Sequence, residues 1–207
     1  QEPLCYCCGR PLPAQSRKTR GKPAYCHTCT DSRPYFAFSR SATVYTEFMR
    51  ALIHRFKYQA NLDLGRALGR VMARQVDYYP ILKKYQKIIP IPLHPEAADR
   101  RTFNQALILA DQVADVTKRR VYPDALLRLP GSALQHTLGR WQRKQGLAGE
   151  FFLARPELVC GQKVLLIDDI LTTGNTLSQA ARVLLRGGAT EVVAFTLAIG
   201  ITAQDGY

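Results

Sequence analysis

The sequence predicts an α/β protein, a parallel sheet with helices on both faces, preceded by a small cysteine-rich module. Two observations carry this. In the last third of the chain an apolar run at residues 163–167 leads through a polar turn at 172–176 into an amphipathic stretch at 177–186. Gly187 and Gly188 stop that stretch, and a second apolar run follows at 191–199. Strand, crossover helix and strand at this spacing form a βαβ unit, whose strands are parallel and covered on both faces. At the other end, five of the six cysteines fall within the first 29 residues, among prolines, glycines and basic residues without hydrophobic periodicity. A segment of that kind builds no core without a staple. The expected division is therefore residues 1–35 and 36–207. A chain of 207 residues with 46% hydrophobic content suffices for one α/β core plus an appendage.

The remaining elements follow in order. Residues 37–45 read as a strand. Residues 46–58 carry Phe48, Leu52, Ile53 and Phe56 at helical spacing. Asn61 is a candidate N-cap for a helix running to Val76. Residues 87–93 alternate Ile and Pro, a short buried strand entering a proline-punctuated loop. Residues 104–116 and 134–144 are expected to be helical.

The formal net charge is +13 and the pI is near 9.7. Such a surplus favours polyanionic partners: nucleic acid, phosphorylated metabolites or an anionic membrane face. Arg17, Lys18, Arg20 and Lys22 form one basic cluster, and Lys118, Arg119 and Arg120 another. No apolar run approaches the ~20 residues of a membrane-spanning helix. No secretory signal is visible in a sequence that begins at Gln1, and paired cysteines without secretory context suit a reducing cytoplasm.

Cys5-x2-Cys8, a gap of 17 residues and Cys26-x2-Cys29 fit the spacing of a four-cysteine zinc ribbon. Zinc takes four thiolates at tetrahedral corners, and each C-x2-C turn presents two of them. A closed four-thiolate site has no open position, so Zn2+ here is expected to be structural. Cys7 reads as a spare thiol, and His27 lies inside the second turn as a weaker competitor for the metal.

The second signal is the run from Val164 to Thr176. An apolar strand brings Asp168 and Asp169 to its carboxyl end, where open α/β sheets bind ligands. Thr172, Thr173, Gly174, Asn175 and Thr176 then open a helix. Their backbone N–H groups and hydroxyls suit an anion, and the helix N-terminus adds a favourable field. Adjacent carboxylates repel a phosphate unless they hold hydroxyls or a divalent cation, so the pattern describes a sugar phosphate. No G-x-x-x-x-G-K-[ST] sequence occurs, which excludes a Walker-type ATP loop.

These thirteen residues resemble the signature of type I phosphoribosyltransferases. The resemblance implies that Asp168 and Asp169 hold the ribose hydroxyls of 5-phosphoribosyl-1-pyrophosphate (PRPP), with Mg2+, and that residues 172–176 wrap its 5-phosphate. Further stretches resemble the ComF (ComFC) competence family, which joins a zinc ribbon to a phosphoribosyltransferase-like domain. They are Arg55-Phe56-Lys57-Tyr58, Ile89-Pro90-Ile91-Pro92-Leu93-His94, Arg101-Thr102-Phe103-Asn104-Gln105, and the set Gln135, Leu138, Arg143, Gly149 and Phe151. Thr102, Gly146 and Glu150 depart from the family's usual residues. His94 and the Arg100-Arg101 pair follow a strand end where a pyrophosphate loop is expected. Arg101 there is either a bidentate pyrophosphate ligand or surface charge.

Three functions stay open at this point. The resemblance implies a DNA-uptake protein that binds single-stranded DNA and PRPP in the cytoplasm beside a helicase-like partner. The alternatives are a salvage enzyme joining a nucleobase to PRPP, and a non-catalytic PRPP sensor that regulates nucleic-acid binding.

Overall fold

A computed structural model describes residues 3–13, 23–95, 102–129 and 150–201. The expected helix at 134–144, the arginines at 100 and 101, the cluster of Arg17, Lys18, Arg20 and Lys22, and Gln135, His136, Leu138, Trp141, Arg143, Gly146 and Gly149 lie outside them.

Seven strands and five α-helices are found among the described residues. They are α1 (His27–Asp31), β1 (Ser39–Val44), α2 (Glu47–Tyr58), α3 (Leu62–Gln75), β2 (Lys87–Pro90), α4 (Gln105–Thr117), β3 (Arg120–Val121), β4 (Leu126–Arg128), β5 (Phe151–Leu153), β6 (Lys163–Leu171), α5 (Asn175–Arg186) and β7 (Glu191–Ile199). Five strands make one sheet in the order β1-β7-β6-β2-β3, and every pairing is parallel. Strands β4 and β5 form a separate antiparallel pair.

The central strands are apolar on both faces because both are covered. Leu165, Ile167, Val193, Phe195 and Ile88 point to one side, where α2, α3 and α4 bury Met49, Ile53, Phe56, Leu68, Met72, Leu109 and Val113. Val164, Leu166, Val192, Ala194 and Ile89 point to the other, against Leu177, Ala180, Ala181 and Leu184 of α5. The five cysteines of the N-terminal module join this second cluster.

The helix starts follow from side chains that compete well for free N–H groups. Thr46 accepts from Met49 N–H, Asn61 from Leu64 N–H and Asn104 from Ala106 N–H. Two expectations need correction. In α2 the inward stripe is Met49, Ile53 and Phe56, while Phe48 is 72% exposed. Strand β6 does not end at Ile167. It pairs with β7 through Leu171, with Asp168 opposite Thr196, because β7 continues apolar to Ile199 and keeps the ladder closed on that side.

Candidate functional site

The strand order places a crevice. From β2 the chain crosses through α4 to β3 at one edge, whereas from β6 it crosses through α5 to β7 in the opposite direction. Neighbouring strands whose connections diverge leave a gap beyond their carboxyl ends, the usual ligand position in such sheets. β2 pairs with β6 only as far as Pro90 opposite Ile167, so β6 runs on for four residues without a partner on that side. A cavity of about 300 Å³ opens there. It is lined by Asp168 and Asp169 of β6, Thr172 and Thr176 beyond it, His94 after β2, Asn104 at the head of α4, Lys57 of α2 and Arg128 of β4.

The two carboxylates sit in different surroundings. Lys57 Nζ lies 2.5 Å from Asp169 Oδ2, and both side chains are mostly buried. Asp168 Oδ1 accepts the Asp169 backbone N–H at 2.8 Å. Burial, then the neighbouring Asp169 charge, pushes the Asp168 carboxyl up to about 7, against smaller opposing effects from that hydrogen bond, Lys57 and Arg128. Asp168 therefore changes charge near neutral pH, and its ionised form is the stronger acceptor for hydroxyls and the one that binds a cation.

The sign of the pH dependence follows. A carboxyl whose folded value exceeds its ordinary one binds its proton more tightly in the native state. Its contribution to stability is full below about pH 4 and is lost as pH rises toward 7. Thermal melts of Asp168→Asn should lose this slope and exceed wild type near pH 8. A polyol or cation ligand needing the ionised carboxylate should bind more tightly from pH 6 to 8, by up to roughly tenfold per unit below the group's value. In Asp168→Asn that trend should disappear. An unchanged pH profile in the variant would contradict the assignment.

The loop after β6 is shaped by Gly174, whose φ of +82° lies in the left-handed region that glycine occupies without strain. Gly174 N-caps α5 with no side-chain cap, and Thr173 Oγ1 accepts from Asn175 N–H at 3.4 Å. The sequence-predicted residues do not all face one space. Thr172 and Thr176 line the larger cavity with the aspartates. Thr172, Thr173, Gly174 and Asn175 also line a second cavity of about 140 Å³, shared with Cys8, Arg10, Thr28 and Cys29.

The loop is thus sandwiched between the crevice and the cysteine module. In that module Gly9 N–H donates to Cys5 carbonyl and Cys5 N–H to Arg10 carbonyl, which closes the first turn. Ser39, at the start of β1, donates its N–H to Cys7 carbonyl at 2.6 Å and its hydroxyl to Cys8 carbonyl at 3.0 Å. Gly9 allows this approach, because a Cβ there would lie 2.9 Å from the Ser39 carbonyl oxygen.

Cys5, Cys8, Cys26 and Cys29 are all buried, with their sulfurs within 4.8 Å of one another. A zinc tetrahedron with ~2.3 Å bonds has sulfur–sulfur edges of about 3.8 Å, so the donor set fits a soft tetrahedral cation. Cys7 is buried but outside the four. His27 is 80% exposed and pairs with Asp31 at 3.0 Å, so it takes no part.

Lys57, Arg128 and Arg10 are the site neighbours that residue patterns alone did not assign. Lys57 had a legible signal, since it follows Ile53 by four residues and continues the inward stripe of α2 as a charge on an apolar face. Arg128 pairs with Glu150 across 22 residues, which no local pattern reveals.

A switch-point crevice with an acidic pair, a glycine-capped loop at the head of α5 and a docked module of four clustered cysteines define a phosphoribosyltransferase-type domain with an appendage that could hold a metal ion. Residues 102–204 match the Phosphoribosyl transferase domain family. DNA utilization protein YhgH of Salmonella typhi is 31% identical over 201 residues, spanning 94% of this chain and 83% of the relative. Competence protein F of Haemophilus influenzae is 29% identical over 201 residues, spanning 95% and 84%. Competence protein ComFC of Bacillus subtilis is 30% identical over 203 residues, spanning 94% and 77%. The chain belongs to the ComF/ComFC family.

Proposed function

We propose that this is a DNA-uptake protein of natural transformation that binds single-stranded DNA in the cytoplasm and PRPP in the crevice between β2 and β6. The observation that carries the ligand half is the switch-point cavity with Asp168 and Asp169 on one wall and the start of α5 on another. The ribose diol meets the aspartates, and the 5-phosphate meets Thr172, Thr176 and the N-terminal end of α5. His94 and Arg128 add basic character on the far side, where a pyrophosphate would lie. Arg101 belongs with them in this reading. Mg2+ would accompany the pyrophosphate, and Lys57 would compete with it for Asp169.

Zn2+ would fill the four-thiolate site as a structural ion, with residues 1–35 folding as its ribbon. The DNA half rests on the family relationship and on the net charge of +13. A helicase-like partner of the uptake machinery would hand the strand over. No helix among the described residues is long and apolar enough to cross a membrane.

Fluorescence anisotropy with a labelled single-stranded 30-mer tests the DNA half. Binding should depend weakly on sequence and strongly on salt, with a log–log slope of about −0.7 per phosphate contacted. Four contacts give roughly a fifty-fold loss between 50 and 200 mM salt. A flat signal at 50 mM salt, up to tens of micromolar protein, would remove the DNA reading. Consumption of PRPP only on adding a free nucleobase would put the salvage enzyme in its place.

A further inference from the structure

Arg10 is charged yet only 5% exposed, and it touches three parts of the molecule that are far apart in sequence. Its backbone carbonyl accepts Cys5 N–H at 2.7 Å and closes the first cysteine turn. Its Nη1 reaches Thr28 Oγ1, inside the second turn, at 3.4 Å. Its Nη2 donates to the carbonyl oxygen of Thr172, the first residue of the anion loop. One residue therefore joins the first cysteine turn through its backbone, and the second turn and the loop backbone through its side chain, with Arg10, Thr28 and Thr172 all lining the smaller cavity.

The bond to a carbonyl has a directional consequence. The Thr172 carbonyl and the Thr173 N–H belong to one planar trans peptide and point in opposite directions. Drawing the carbonyl toward the cysteine module turns the Thr173 N–H away from it. This N–H is a backbone donor of the loop, and at Thr173 only a proline would remove it. A cation held by Cys5, Cys8, Cys26 and Cys29 fixes both turns, and with them the origin and one anchor of the Arg10 side chain.

We propose that Arg10 is a positioning residue that couples metal occupancy of the four-cysteine site to anion binding at residues 172–176. Each ligand then raises affinity for the other by the same factor, as linkage requires. This rests on the reading that the loop holds the 5-phosphate of PRPP.

The test uses the full chain, with zinc and PRPP as probes. In the wild type, zinc affinity by chelator competition should rise roughly five- to twenty-fold at saturating PRPP, within the usual range of such couplings. Arg10→Met keeps the bulk of the side chain and removes its donors. Its zinc-loaded form should bind PRPP about tenfold more weakly by calorimetry, the loss expected for one charge-assisted hydrogen bond. Its zinc affinity should no longer respond to PRPP, while Arg10→Lys should recover part of both effects.

A merely structural Arg10 would lower the melting temperature without abolishing the linkage. Wild-type PRPP affinity in zinc-loaded Arg10→Met, or a retained PRPP-dependent shift in its zinc affinity, would overturn the proposal. The wild-type linkage alone decides the matter should Arg10→Met not fold, because PRPP binding with no shift in zinc affinity also overturns it. Wild type failing to bind PRPP at all is a different result, which refutes the ligand reading and this inference with it.

Discussion

Cys26→Ser should release the metal and loosen the N-terminal module. Cys26 is 5% exposed, its sulfur lies 3.5 Å from that of Cys8, and its N–H points at the Cys5 sulfur at 3.3 Å. Removing one thiolate leaves three donors in a site whose metal-binding free energy is largely local folding free energy, on the order of 10 kcal/mol. Among its described residues the module buries its five cysteines, Arg10 and Leu12, a small apolar core to set against that loss. Elemental analysis should give one zinc per wild-type chain and none in the variant. Limited proteolysis should cut the variant before residue 36. Cys7→Ser should keep its metal, because Cys7 lies outside the four and engages Ser39 through its carbonyl. Wild-type protein purified without chelator and free of zinc would refute the assignment.

Asp169→Ala should weaken PRPP binding by roughly 1.5–3 kcal/mol, or about ten- to 150-fold, the usual effect of losing a charge-assisted hydrogen bond in a secluded site. The same change strands the mostly buried ammonium of Lys57. A lone buried charge is costly, so Asp169→Ala should also melt earlier than wild type. Pairing it with Lys57→Met should restore much of the stability and none of the affinity, which separates the two effects. Thr173→Ala should weaken binding less, since backbone donors remain and Thr173 lines the smaller cavity. Equal losses in Asp169→Ala and Thr173→Ala would contradict the division of roles.

Sequence pattern carried the parallel sheet because apolar runs covered on both faces and a glycine-stopped helix between them leave one topology. The helix cap at Asn61 was legible for the same local reason. Phe48 was misplaced because its neighbours Met49 and Leu52 allow two overlapping helical stripes, and only packing against α3 and the sheet selects the one through Met49. The end of β6 was set too early because two aspartates read as a strand terminus. Pairing continues because β7 supplies the ladder while the other side of the strand faces the cavity.

The cysteine set was legible from spacing alone, and the structure brings the four sulfurs together. That the module packs against the back of the loop after β6 was not legible. The contact between Arg10 and Thr172 joins residues 162 apart, and no period or motif connects them. The split of the loop between two cavities follows from that same docking.

The central claim is that the crevice beyond β2 and β6 is a PRPP site, and isothermal titration calorimetry of PRPP into the zinc-loaded wild-type chain tests it most directly. With Mg2+ present the account predicts saturable binding at one ligand per chain, tighter at pH 8 than at pH 6, and strongly weakened in Asp169→Ala. No heat and no thermal stabilisation at millimolar PRPP, in protein that retains its metal and its fold, would contradict it.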